Sequence, residues 1–429
     1  MKKKYRIILY TSIFLLCVVA SIILVVKKSN SVYEEESKPK VVKHKSMLSM
    51  NLEQTAGAGD YKTVTQSKWP TEGYKFNAEL SRCENGSTLS WDDTKKAVIV
   101  SGNLSDKCYV YFDIYQPTLA EYIKSQYTGT QGENNIYYHD SDLANGAGDN
   151  SYRYAGANPN NFVCFGSDTS PCPTDNLYRI IGVFGENYHG VTGKQLVKLI
   201  KYDYMTTDEL GTDGDYSQTY KEWGMDSTYK GTYGDGERIG VYYWNYKATG
   251  SATNTWSTSL LNKTNLNTNF INNIGTTWAN KIATTTWKVG GNTEANIKDV
   301  LPATTYLNEI TNPVITNTTD NATTYSAKIG LMYVSDYGFA ASPDAWTLTM
   351  SSYNNTTATN NNWMYMGLYE WTISRYADDS YHAFFVGIVG GVSYDVVDLS
   401  DGVRASFSLE SSVSYVSGSG SMSDPIVIN

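Results

Sequence analysis

The chain opens on an unbroken apolar run. The twenty residues Ile7 to Val26 carry no charge, Lys2, Lys3, Lys4 and Arg6 precede them, and Lys27-Lys28 closes the run. At about 1.5 Å per helical residue, such a run spans about 30 Å, the thickness of a bilayer core. The basic residues ahead of it and Glu34-Glu35-Glu36 behind it put the N-terminus in the cytoplasm and the body outside. Residues 1–28 are therefore read as a signal anchor forming a transmembrane helix, with membrane contact through residues 7–26. The rival reading is a cleaved leader, cut near Val18-Val19-Ala20, which leaves Ile22 to Val26 as an apolar stub. Leu15-Leu16-Cys17 comes near a lipoprotein signal, but Leu16 is large where that signal needs a small residue.

Beyond the run, the pattern changes twice. Residues 29–50 are polar and Lys-rich and read as a stalk. Residues 51–116 read as a small β-sandwich-like module. Leu89-Ser90-Trp91 and Ala97 to Val100 flank the polar turn Asp92 to Lys96, a hairpin pattern. Cys108, Val110, Phe112 and Ile114 alternate with Tyr109, Tyr111, Asp113 and Tyr115, the period of a half-buried strand.

Residues 117–429 read as one large mixed domain, which makes the fold class α+β with antiparallel strands and a few helices. Thr118 to Gln126 is a short helix pattern. Asn176 to Phe184, Gln195 to Ile200, Lys328 to Val334, Met364 to Arg375 and Phe384 to Val389 are strand patterns. Leu266, Phe270, Ile274, Trp278 and Ile282 recur every fourth residue, a helix stripe that Gly275 interrupts. Val403, Ala405, Phe407 and Leu409 alternate with Arg404, Ser406, Ser408 and Glu410, and Pro425 to Asn429 reads as a last strand.

Charge alters the functional picture. The net charge of −9 conceals a basic start: residues 1–45 carry +7, which leaves −16 on the rest. An acidic body does not neutralise phosphate backbones, so no nucleic-acid partner is expected. His44, His139, His189 and His382 are scattered, so no histidine-based metal centre is expected and no metal site is assigned. Setting Cys17 aside in the apolar run, Cys83, Cys108, Cys164 and Cys172 lie on the outer side, where disulfides persist. They form two local pairs. Cys83–Cys108 with Cys164–Cys172 is the preferred one of three connectivities, and four reduced thiols are the alternative.

Motifs for chemistry are sparse. There is no Gly-x-Ser-x-Gly elbow, His-Glu-x-x-His helix or phosphate loop. No cofactor is expected, with calcium the one candidate. Asp140-Ser141-Asp142 and Asp213-Gly214-Asp215 are oxygen-rich, but such pairs also form turns. The aromatic residues say more. The chain holds 36 Tyr and 10 Trp, and only 18% of its residues are charged, against about 25% in ordinary domains. Trp363, Tyr365, Tyr369 and Trp371 share one parity and line one face if the strand is unbroken. That face is the core, or the opposite face and the following loop hold a ligand. The candidate ligand-binding residues are Tyr376, Asp378, Asp379, Tyr381, His382, Tyr394 and Asp395, because tyrosine offers large contact area at low entropic cost.

Gly367-Leu368-Tyr369-Glu370-Trp371-Thr372, Gly390-Gly391-Val392-Ser393 and Gly402-Val403-Arg404 with Phe407 resemble motifs of the sulfatase-modifying-factor group. That group is the formylglycine-generating-enzyme-like branch of the C-type-lectin-like fold. Leu177 to Phe184, Asn254 to Phe270, Ile329 to Asp336 and Trp371 to Leu409 resemble, more closely, an uncharacterised bacterial surface or phage-associated family related to it. The resemblance implies a C-type-lectin-like domain over residues 117–429, with Trp371 and Arg404 as packing and network residues. It does not imply copper oxidation, because no Cys follows Cys172 where the catalytic branch has two. The expectation is a membrane-anchored bacterial surface protein whose head recognises an extracellular glycan or protein and does no catalysis. An exported enzyme using carboxylates or calcium, and a structural envelope component, are the alternatives.

Overall fold

A computed structural model describes residues 48–429 apart from 66–67, 71–72, 104, 186–192, 315–321 and 355. The chain divides into two compact units between Tyr115 and Gln116.

In the first unit, four strands are ordered Tyr61–Val64, Leu48–Glu53, Cys108–Ile114 and Tyr74–Cys83. Leu48–Glu53 takes in the last residues of the polar stretch 29–50 and runs parallel to Cys108–Ile114. The alternation along Cys108–Ile114 is realised: Cys108, Val110 and Phe112 are buried, while Tyr109, Tyr111 and Asp113 are half-buried. Met50, Leu52, Val110 and Phe112 form the core, with the rings of Trp69, Phe76 and Trp91 around Phe112 at 5.6–5.9 Å. Thr88–Asp92 and Ala97–Ser101 pair as the hairpin. Cys83 lies opposite Cys108 in the register and is disulfide-bonded to it.

The second unit is built on two sheets. One is ordered Ile329–Gly330, Ser406–Ser408, Leu196–Lys201, Leu177–Phe184, Tyr152–Tyr154 and Ile136–Tyr138, with Phe162–Cys164 also on Leu177–Phe184. The other is ordered Tyr216–Thr219, Gly240–Tyr243, Ser400–Gly402, Glu370–Arg375, His382–Val386 and Val392–Val396. Leu177–Phe184 and Leu196–Lys201 are buried on both faces, and their near-continuous apolar runs fit such a position. A second disulfide, Cys164–Cys172, closes an eight-residue separation.

The expected α+β class is corrected here. The described residues are mostly β-sheet, and helix accounts for only 21%. No helix among them is long and apolar enough to cross a membrane. Residues 1–28, the expected anchor, lie outside the described residues, as does most of the stretch 29–50.

The physical reason is visible in the helices that do form. They are short, and Thr, Asn and Gly crowd them, residues that favour caps and turns over helix interiors. Thr118 caps Leu119–Ser125 in a reciprocal box with Glu121. The expected fourth-residue stripe starts as a π-helix, Leu261–Phe270. Its Asn267 and Thr268 side chains donate to the Asn262 and Lys263 carbonyls five residues back, at 3.0 and 2.8 Å. The continuation, Ile271–Ala279, breaks at Gly275, whose φ of 76° lies in the left-handed region.

Two expected strands also differ. Lys328 to Val334 pairs only over Ile329–Gly330, then turns into the helix Val334–Ala340. The strand expected from Met364 begins at Glu370. Trp363 donates its indole N–H to the Tyr154 carbonyl, and Tyr365 donates its hydroxyl to the Ile388 carbonyl. The aromatics before Glu370 are thus held by irregular backbone, and Trp363, Tyr365 and Trp371 are all buried.

Candidate functional site

The strand Glu370–Arg375 leads into residues 376–381, and the chain returns through His382–Val386 to Val392–Val396. This return brings together six of the seven candidate residues.

Phe384 is registered opposite Tyr394, and His382 opposite Val396, so the His382, Phe384 and Tyr394 side chains share one face. On that face Tyr376 stacks on Tyr394 with centroids 4.7 Å apart and planes 3° from parallel. The His382 ring stands edge-on to both, at 5.9 Å from Tyr376 and 5.3 Å from Tyr394. Tyr381 packs on His382 at 4.5 Å and keeps 46% of its surface exposed.

Carboxylates rim the rings. Asp379 Oδ2 shares a 2.6 Å hydrogen bond with His382 Nδ1. Its Oδ1 accepts from the Tyr381 and His382 amides at 2.9 and 3.1 Å, which closes the loop on itself. Partial burial, helped by the Asp378 carboxylate beside its hydroxyl, pushes Tyr376 up to about 12. Glu294 hydrogen-bonds the Tyr394 hydroxyl and raises that group in the same direction. Both phenols therefore stay protonated donors at neutral pH, each facing an acceptor carboxylate.

Asp395 does not join the patch. It follows Tyr394 in a strand, so it points to the opposite face, opposite Ala383. There its charge acts on the buried Asp401, which desolvation first and Asp395 second push up to about 8.

Sequence reasoning missed the residues that hold the patch. Asn254 is buried, and its side-chain amide donates to the Tyr376, Asp379 and His382 carbonyls at 2.7, 3.2 and 2.8 Å. One amide thereby ties three points of the loop. Asn292 bridges to Tyr376 along the backbone, and its carbonyl accepts from the Ala377 amide at 2.9 Å. Gly291 permits that approach. A Cβ on it would meet the Arg375 carbonyl oxygen at 2.1 Å, and its φ is 70°. Asn254 stands in the Asn254 to Phe270 segment singled out above, but nothing local signals that its amide reaches residues 376–382.

Two of the other candidate carboxylates, Asp140 and Asp215, accept backbone amides. Asp140 accepts from the Asp142 and Leu143 amides at 3.1 and 3.0 Å, a turn formed by its own side chain. Asp215 is buried and accepts from the Tyr246 and Leu261 amides at 3.1 and 2.8 Å. Among the described residues, no group of three or more His, Cys, Asp or Glu is placed to hold a metal ion.

At the start of Glu370–Arg375, Arg404 grips Glu370 with two bonds, Nε to Oε1 at 2.8 Å and Nη2 to Oε2 at 3.0 Å. Its Nη2 also donates to the Met364 carbonyl at 2.6 Å. Burial raises the Glu370 carboxyl above its ordinary value, and Arg404 opposes that shift. Trp371 is fully buried, with its indole N–H on the Tyr242 carbonyl at 3.0 Å.

Compared with known protein families, curated proteins and solved structures, the chain matches none. The resemblance to the sulfatase-modifying-factor group therefore stands on the quoted residues alone.

Proposed function

We propose that this chain is a recognition protein displayed outside the cell and held at the membrane through residues 7–26, and that its Gln116–Asn429 unit takes a glycan on the tyrosine patch. The observation that carries the reading is the stacked Tyr376–Tyr394 pair with exposed Tyr381 beside it, rimmed by Asp378, Asp379 and Glu294. A sugar ring has apolar C–H faces and a hydroxyl edge. Tyrosine rings suit the faces, and phenol and carboxylate groups suit the edge. The loop is tied by Asn254 and Asp379 before any ligand arrives, so little ordering entropy remains to be lost on binding. The apolar leader and the two disulfides support an extracellular setting.

The test is a glycan array read with the full chain, with a pull-down from surface proteins run beside it. Binding to defined glycans that is lost in Tyr376→Ala, Tyr381→Ala and Tyr394→Ala supports the proposal. Glycan binding that all three variants retain removes the patch from it, and capture of a protein with no glycan bound replaces the ligand class.

A further inference from the structure

Lys198, Asp336 and Glu309 come from three distant parts of the chain and meet in the interior. Lys198 lies on Leu196–Lys201, the strand between Leu177–Phe184 and Ser406–Ser408. Its Nζ donates to Asp336 Oδ2, and the two side chains are only 3% and 1% exposed. The rings of Tyr333 and Trp287 cover the ammonium at 4.4 and 5.2 Å. Both carboxylates sit on successive amides of a single turn. Asp336 Oδ2 accepts from the Tyr333 amide at 3.0 Å, while Glu309 accepts from the Val334 and Ser335 amides at 2.9 and 3.0 Å. Ser374 donates its hydroxyl to Glu309 as well.

An amine held dry against a carboxyl, with a second carboxyl at the same turn, is arranged for condensation. We propose that Lys198 and Asp336 join in an internal amide bond, with Glu309 carrying the proton. The ion pair contains the same atoms as a neutral amine and a carboxylic acid. Lys198 Nζ attacks Asp336 Cγ, the C–N bond forms, the Cγ–OH bond breaks, and one water leaves. Glu309 takes the proton released by the nitrogen and returns it to the departing hydroxyl. No oxidant or co-reactant is required.

Desolvation, with Arg153 a lesser contributor, lowers Lys198 from its ordinary value, although Asp336 opposes the shift. Desolvation also pushes Glu309 up to about 7, which suits a group that gives and takes a proton near neutrality. A bond here fastens the middle of the large sheet to the start of Val334–Ala340, across 138 residues of sequence.

Tryptic mass mapping of the full chain, with disulfides reduced, decides the question. The expected result is a branched pair of peptides joined at Lys198 and Asp336, lighter by one water than the two separate peptides, with no cleavage after Lys198. Linear peptides at their full sequence masses overturn the proposal. In Asp336→Asn the same link is expected with ammonia lost in place of water, an exchange that a purely structural ion pair cannot produce. Glu309→Gln should slow linking by about 10²-fold, with partial recovery in Glu309→Asp. Linking at the wild-type rate in folded Glu309→Gln removes Glu309 from the step.

Discussion

The strand Glu370–Arg375 has an acid–base pair at its start and another just past its end, and the two behave differently. At its start Glu370 and Arg404 are 2% and 1% exposed, and the Nε and Nη2 donors of the guanidinium are spent on fixed acceptors. Past its end Asp379 and His382 hold each other at the surface, with side chains 21% and 18% exposed. Each pair joins a carboxylate to a nitrogen base, but the guanidinium is always charged and dry, whereas the imidazole can titrate and meets water. The dry pair fastens Ser400–Gly402 and its neighbours to the strand. The wet pair shapes a loop whose rings remain accessible.

The largest expected effect comes from breaking the dry pair. Glu370→Ala leaves a buried guanidinium without its carboxylate and should cost about 3–5 kcal/mol, read as a drop in urea midpoint. Asp379→Ala at the wet pair should cost within about 1 kcal/mol in the same assay. Equal costs would abolish the contrast.

Next in size is the pH response of the interior. The folded-state value of Glu309, about 7, lies above its ordinary 4.5. The folded state therefore holds that proton more tightly, so its contribution favours folding at low pH and declines as pH rises between about 4.5 and 7. At 1.36 kcal/mol per unit the swing is roughly 3 kcal/mol. Unfolding measured from pH 4 to 8 should show it, and Glu309→Gln should flatten it. An unchanged slope in the variant would place the pH response elsewhere.

The disulfides have effects of similar size. From loop-closure entropy, replacing both members of Cys83–Cys108 with Ser should cost about 3.5 kcal/mol, and of Cys164–Cys172 about 2.5 kcal/mol. The first pair also bridges registered strands in a unit with a small core. Thermal unfolding that is more sensitive to the second pair would reverse this ranking. The smallest stability effect belongs to the patch. Tyr394→Ala should cost about 0.5–1.5 kcal/mol from lost stacking while abolishing glycan binding.

What the sequence made legible was local. The hairpin around Asp92 to Lys96, the alternation of Cys108 to Ile114 and the short helix within Thr118 to Gln126 each depend on neighbours a few residues apart, and each forms. The stretch from Trp363 to Tyr369 misled because aromatic parity suggests a strand, whereas side-chain bonds to Tyr154 and Ile388 hold irregular backbone instead. The candidate list contained its own correction: Tyr394 and Asp395 are adjacent, and a strand cannot turn both to one face. Asn254, Glu294 and the Lys198–Asp336–Glu309 cluster were illegible because each acts across long sequence separations that no periodicity encodes.

Hydrogen exchange on the full chain, with and without the glycan that the array identifies, tests the central claim most directly. Slowed exchange confined to residues 376–382 and 392–396 is the expected result. Protection that leaves those segments unchanged and falls in residues 48–115 would contradict it.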